Sequence, residues 1–218
     1  MAYALVTPPP VEPLSLDEAQ AHLRLELDRG DVYVGGLISA VRAWVEETIN
    51  RALITQTWDL VLDAWPRVLV NVSRPTPQLA GIGMDFERVL YGRSAIDLMK
   101  GRLQSVEFVK YVDDAGVLQT LSPSAYIVDT DSEPGRIAPA YGLLWPTARQ
   151  QLNAIRVRFV AGYGSAGTAV PQSIRAAMLI MISDLYEHRE SEVVGATVSR
   201  VQFAADALLA PFRLDTVG

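Results

Sequence analysis

The chain has no cysteine, two lysines and two histidines among its 218 residues. Without thiols there is no disulfide framework, no thiolate metal ligand and no cysteine nucleophile, so bridges say nothing of the redox compartment. Lysine is confined to Lys100 and Lys110, the arginines are scattered, and the formal net charge is -6. That balance argues against a dedicated phosphate-binding surface, because affinity for nucleic acid comes mainly from clustered Lys and Arg. No apolar run approaches the roughly 20 residues needed to cross a bilayer. Residues 1–11 also lack the basic start and long apolar stretch of a signal peptide. The expectation is a protein made in a cytoplasm, with no membrane partner. What is present is ordinary for a folded chain: half the residues are apolar and a fifth are charged. The length suits one large domain or two small ones.

The apolar pattern changes period twice. Residues 1–12 form an extended arm, since Pro8-Pro9-Pro10 excludes helix. Ser15 with Glu18 three residues later predicts a capping box opening a first helix, and Leu16, Ala19 and Leu23 follow at helical spacing. A second helix is predicted over 32–50, where Val34, Leu37, Ile38, Val41, Val45 and Ile49 make one apolar face. Gly35 and Gly36 lie inside it, each costing about 1 kcal/mol relative to Ala; a close helix–helix approach or a frayed first turn accounts for them. From Ile54 the rhythm becomes two, and strands are predicted near 54–63, 67–72, 88–91, 105–112, 117–121, 126–129 and 155–161. Asp113-Asp114-Ala115-Gly116 reads as a hairpin turn, and the Pro- and Gly-rich stretch 73–92 as a long excursion loop. At Pro171 the helical period returns through Ile174, Ala177, Met178, Met181, Ile182 and Leu185, with a short last helix over 204–210 ending at Pro211. The expected fold is α+β: a small helical bundle made by both chain ends, 13–53 plus 165–218, with an antiparallel sheet or sandwich inserted over 54–164.

Each motif with chemical promise has a plainer reading. Gly162-Tyr163-Gly164-Ser165-Ala166-Gly167 matches the dinucleotide pattern, but a true fingerprint opens a helix within its glycines. Here no helix can begin before about residue 169 and no βαβ unit precedes it, so Gly162, Gly164 and Gly167 are expected as a hinge for the returning chain. Asp129, Asp131 and Glu133 alternate like calcium ligands, yet Pro134 and Ala140 stand where that loop needs glycine and glutamate, which leaves a solvated turn. His22 and His188 have no nameable nucleophile and orienting carboxylate, and Ser122, Ser124 and Ser165 lack the G-x-S-x-G elbow. Trp44, Trp58, Trp65 and Trp145 are read as core or interface residues. No catalytic, metal or cofactor site is expected.

Particular strings carry more. Pro13-Leu14-Ser15-Leu16-Asp17-Glu18-Ala19, Leu23-Arg24-Leu25 and Arg51-Ala52-Leu53-Ile54-Thr55-Gln56-Thr57-Trp58 resemble the opening of head–tail connector (adaptor) proteins of long-tailed double-stranded-DNA bacteriophages. Leu103-Gln104-Ser105-Val106, Val112-Asp113 and Tyr126-Ile127-Val128-Asp129 resemble the middle of that group. Its return is matched by Arg158-Phe159-Val160-Ala161-Gly162-Tyr163-Gly164, Val170-Pro171, Ile174-Arg175-Ala176-Ala177 and Tyr186-Glu187-His188-Arg189-Glu190, and its end by Ala207-Leu208-Leu209-Ala210-Pro211-Phe212-Arg213. The set is collinear and covers most of the chain.

The resemblance implies a non-enzymatic virion protein at the head–tail interface. Copies of it would form a dodecameric ring beneath the portal protein, carry the stopper or tail-completion protein, and let genome DNA pass without reading it. Gly35-Gly36, and an excursion from 67 to about 94 that is longer than typical, depart from the group's pattern. Within this reading Pro211, Phe212, Arg213 and Leu214 begin a tail expected to dock on the portal, while Trp65, Trp145 and the last helix contribute contacts. A monomeric ligand- or carbohydrate-binding β module with helical flanks is the alternative, and a cytoplasmic enzyme using the glycine-rich loop is a third class.

Overall fold

The computed structural model describes residues 1–25, 31–66, 94–188 and 198–214. The predicted strands at 67–72 and 88–91, the whole of the excursion loop 73–92, and the end of the tail lie outside the described residues. The chain divides into two compact units, one made of Thr7–Gln56, Met99–Arg102 and Ala161–Gly218, the other of Met1–Val6, Thr57–Leu98 and Leu103–Val160.

In the first unit, helices from both ends of the chain pack together. Helix α1 (Leu16–Leu23) opens on the expected capping box: Ser15 Oγ accepts from the Glu18 amide at 3.1 Å, and the Glu18 carboxylate accepts from the Ser15 amide at 2.9 Å. Helix α2 (Asp31–Ile49) buries Val34, Ile38, Val41, Val45 and Ile49, a stripe at three- and four-residue steps. It stops where Asn50 turns left-handed at φ 55 and the Arg51 amide reaches back to the Glu46 carbonyl. Helix α3 (Gln172–Glu187) follows Pro171 and buries Ile174, Ala177, Met178 and Ile182. Helix α4 (Val198–Leu209) begins earlier than the pattern suggested and adds Ala205 and Leu209 to the same core. Arg175 fastens α3 to the start of α1, donating to the Glu18 carboxylate and to the Pro13 carbonyl.

The second unit holds two antiparallel sheets. Five strands are ordered β1 (Ala2–Thr7), β2 (Gln56–Leu62), β8 (Ile155–Ala161), β4 (Leu103–Val112), β5 (Leu118–Thr120); three are ordered β3 (Ile96–Leu98), β7 (Gly135–Pro139), β6 (Tyr126–Asp129). The arm thus carries an edge strand, anchored by Tyr3, whose ring stands edge-on to Phe159 and whose hydroxyl donates to the Asp97 carbonyl at 3.2 Å. Strands β4 and β5 form the predicted hairpin, pairing Val112 with Leu118 around Gly116 at φ 85. Strands β3 and β7 were not legible in the sequence; Ile137 of β7 lies between Ile96 and Val128 and is fully buried. A Cβ on Gly135 would meet the Leu103 side chain at 2.3 Å, so glycine lets the three-stranded sheet approach the five-stranded one.

One topological fact governs the rest. The first and last strands of the insertion, β2 and β8, are antiparallel neighbours. The chain therefore leaves the helical unit and returns to it at adjacent points.

Candidate functional site

The helical unit receives those two chain segments in a hydrogen-bonded clamp. The Tyr163 amide donates to the Leu53 carbonyl at 3.3 Å, and the Thr55 amide to the Gly164 carbonyl at 2.9 Å. A third segment joins them, as the Ala52 amide donates to Lys100 O and the Gly162 amide to Arg102 O. Gly162, at φ 136, lies directly on this layer: a Cβ there would stand 2.5 Å from the Ile54 carbonyl oxygen. A Cβ on Gly164 would meet Ala169 Cβ at 2.8 Å, and one on Gly167 the Pro13 carbonyl at 2.6 Å. The space these glycines free is filled by the protein's own chain, and α3 begins only at Gln172, so its N-terminus does not lie within the glycines as the dinucleotide fingerprint requires. The three residues expected as a hinge are all close-contact positions.

Beneath the clamp lies a mostly buried carboxylate that sequence reasoning missed. Glu46 Oε1 accepts from the Leu53 amide at 2.8 Å and from Gln56 Nε2 at 2.6 Å, and Oε2 accepts from Arg42 at 2.9 Å. Arg42 also holds Glu12 at 2.7 Å, and Ser39 donates to the same Glu12 carboxylate. Burial pushes the Glu46 carboxyl above its ordinary pKa, and the hydrogen bonds from Leu53, Gln56 and Arg42 offset only part of that effect. The available signal was an Arg-x-x-x-Glu pair whose members directly follow the buried Val41 and Val45, which reads equally well as a surface ion pair.

The predicted docking residues close the other side of the clamp. After α4 a single 3₁₀ turn carries Ala210–Phe212 over the end of α2. The Phe212 ring packs on the core and its carbonyl accepts from Arg51 Nε, while the Leu214 amide donates to the Ile49 carbonyl at 3.0 Å. Arg213 pairs with Asp206 at 3.0 Å and stays exposed, as does Pro211.

The remaining candidates separate. Asp129 accepts from Ser132 Oγ at 2.7 Å, Arg136 Nε at 2.8 Å and the Asp131 and Ser132 amides, which holds its carboxyl at about 2. That carboxylate is spent on its own turn, and among the described residues no three metal-ligating side chains converge. His22 lies in the last turn of α1, whereas His188 caps α3 and lies 3.2 Å from Asp184. On the outer face of the five-stranded sheet, Asp59 takes both ends of Arg158 at 2.7 and 3.0 Å, and Phe108 lies beneath that guanidinium and the Lys110 ammonium.

Each unit carries an apolar recess. In the β unit, Trp65 stacks face to face on Trp145, centroids 4.5 Å apart, beside a cleft of about 370 Å3 bounded by Ser94, Pro139 and Leu144. Trp145 Nε1 donates to the Ser94 carbonyl, and Trp65 Nε1 is buried with no partner among the described residues. In the helical unit a mostly apolar groove of about 340 Å3 runs between Ala40, Val41 and Trp44 of α2 and Met181, Asp184 and Leu185 of α3, with Ala205 of α4 also lining it.

No protein-family model and no curated protein matches the chain. Solved structures do. A chain in the neck of an empty gene transfer agent particle, computed with C6 symmetry, superimposes with a TM-score of 0.74 at 22% identity, covering 100% of this chain and 98% of that one. One in the virion of the native gene transfer agent particle gives 0.73 at 22% identity with the same coverage. One in the native particle's neck, computed with C12 symmetry, gives 0.69 at 21% identity, again over 100% and 98%. The chain adopts, from end to end, a fold that occurs in particle necks.

Proposed function

We propose that this protein is a structural subunit of the neck of a tailed-phage-like particle. Copies of it form a dodecameric ring below the portal, bearing the stopper or tail-completion protein and leaving a bore for the genome. The observation that carries the reading is the full-length match of both units, in one chain, to neck chains from symmetric assemblies. A ring subunit needs no catalytic set, and a net charge of -6 suits a channel through which DNA slides. We further propose that the segment Pro211–Leu214 touches the portal. Its backbone is already fixed on α2, so the exposed Pro211 and Arg213 are offered at little ordering cost. In this reading Gly162, Gly164 and Gly167 act as the pivot that turns the chain from β8 back toward α3.

Deleting the gene from a particle-producing cell tests the function. Filled heads without tails, restored by the wild-type gene, are the expected result; complete particles would refute it. Arg213→Glu should block attachment to isolated portals while lowering stability by no more than about 1 kcal/mol, since its pair with Asp206 is exposed. The Trp65–Trp145 cleft favours one second reading, a ligand- or carbohydrate-binding module. A change in tryptophan fluorescence on titration with oligosaccharides would support that reading against the neck.

A further inference from the structure

The ring reading requires each copy to offer two different faces, a recess and something to fill it, because head-to-tail contacts are heterologous. The helical unit carries such a pair. Its groove exposes Trp44 and Leu185 by 43% and 42%, high for large apolar side chains lining a recess, and Met181 adds an adaptable wall. Aromatic residues and Met are the types enriched at interface centres. Phe203 on α4 is 75% exposed. It lies two residues from buried Ala205, about 200° around the helix, and so points away from the helical core. An aromatic ring buries roughly 150–250 Å2 when seated, so an exposed one and an unfilled groove of one-residue size are complementary features.

The glycines of α2 supply an independent observation. A Cβ on Gly35 or Gly36 would have no atom within 4 Å among the described residues, so no close approach by any of those residues explains them. Gly36, Ala40 and Trp44 follow one another along the exposed side of α2. A helix that gives up propensity there, next to an exposed tryptophan, is shaped for the backbone of another molecule to come close.

We propose that the Trp44 groove receives Phe203 of the next copy in the ring. Each junction is then one α4 aromatic seated between α2 and α3 of its neighbour, with Gly36 and Ala40 admitting the neighbouring helix. This rests on the ring reading, and the test separates the two. The absence of cysteine makes thiol crosslinking specific. An equimolar mixture of an Ala40→Cys chain and an Ala204→Cys chain, both exposed positions, is treated with a short bis-maleimide, as assembled particles and as the purified chains at concentrations where light scattering reports a ring. Because Ala40 and Ala205 border the same groove of one copy, separate chains exclude a link within a copy. A crosslinked dimer on a denaturing gel is expected from the mixture, with none from either variant alone. Phe203→Glu should weaken assembly at least tenfold at unchanged thermal stability, and Phe203→Tyr should restore it. A ring by light scattering that yields only monomer on the gel, or that tolerates Phe203→Glu, overturns the groove and leaves the ring. Monomer in solution together with absence from particle necks overturns the ring, and the groove with it.

Discussion

Replacing Gly162 by alanine tests whether the clamp is built from backbone contact. At φ 136 an L-residue leaves its allowed basins, which costs about 1–3 kcal/mol where the surroundings hold it. The added methyl would stand 2.5 Å from Ile54 O, 2.6 Å from Ile54 C and 2.8 Å from Thr55 N. All three are main-chain atoms, so no rotamer change relieves the overlap and the two segments must separate. Separation weakens the Thr55–Gly164 and Tyr163–Leu53 hydrogen bonds, worth about 1 kcal/mol each. The expected loss is therefore about 3–5 kcal/mol. Urea unfolding followed by far-UV circular dichroism, dominated by the helical unit, measures it. Gly116→Ala is the control: its φ is also positive, but its added methyl meets only the movable Arg149 guanidinium at 2.6 Å, so it should cost only the strain. A Gly162→Ala loss below about 1 kcal/mol, or one equal to that of Gly116→Ala, would refute the argument from backbone contact.

Gly36→Ala should instead stabilise the isolated chain by about 1 kcal/mol, read as a rise in the urea midpoint, because the added methyl meets nothing. Glu46 should make stability rise on mild acidification. Its folded pKa lies above the ordinary carboxyl value of 4.5, so the cost of burying its charge is fully present above the folded pKa and is relieved as pH falls through it toward 4.5. Unfolding curves between neutral pH and that window should be flatter for Glu46→Gln than for wild type, and equal slopes would contradict this. Asp129 acts with the opposite sign: its contribution is present above 3.8 and is lost as pH falls toward about 2, detectable as protonation of its carboxyl by NMR in that range. Ser15→Ala removes one half of the capping box and should cost about 1 kcal/mol in the same urea assay.

Much of the fold was legible because its signals are local. The capping box, the stripes of α2 and α3, the alternation of β6 and β8 and the Asp113–Gly116 turn each arise from neighbours within a few residues, and each stands where the pattern put it. Strands β3 and β7 were missed because three to five residues flanked by Gly, Pro and bends show no period; pairing with one another makes them strands. The arm was extended as expected, and its place as an edge strand depends on β2, some fifty residues away. Glu46 looked like half of a surface ion pair until Leu53 and Gln56 folded over it.

The sequence by itself determined the helix–strand–helix order, the absence of thiols and the points where the period changes, since these depend on side-chain spacing and type. Only the tertiary structure decided that the chain leaves and returns side by side and that Phe212 and Leu214 strap the end of α2. It also decided that Trp65 meets Trp145 and that Trp44 borders a groove. Those facts follow from the antiparallel pairing of β2 with β8 and the packing of α4 against α3, contacts between residues about a hundred positions apart or on separate elements. No local pattern encodes such contacts, because each is selected by the surface it buries and not by its own neighbours.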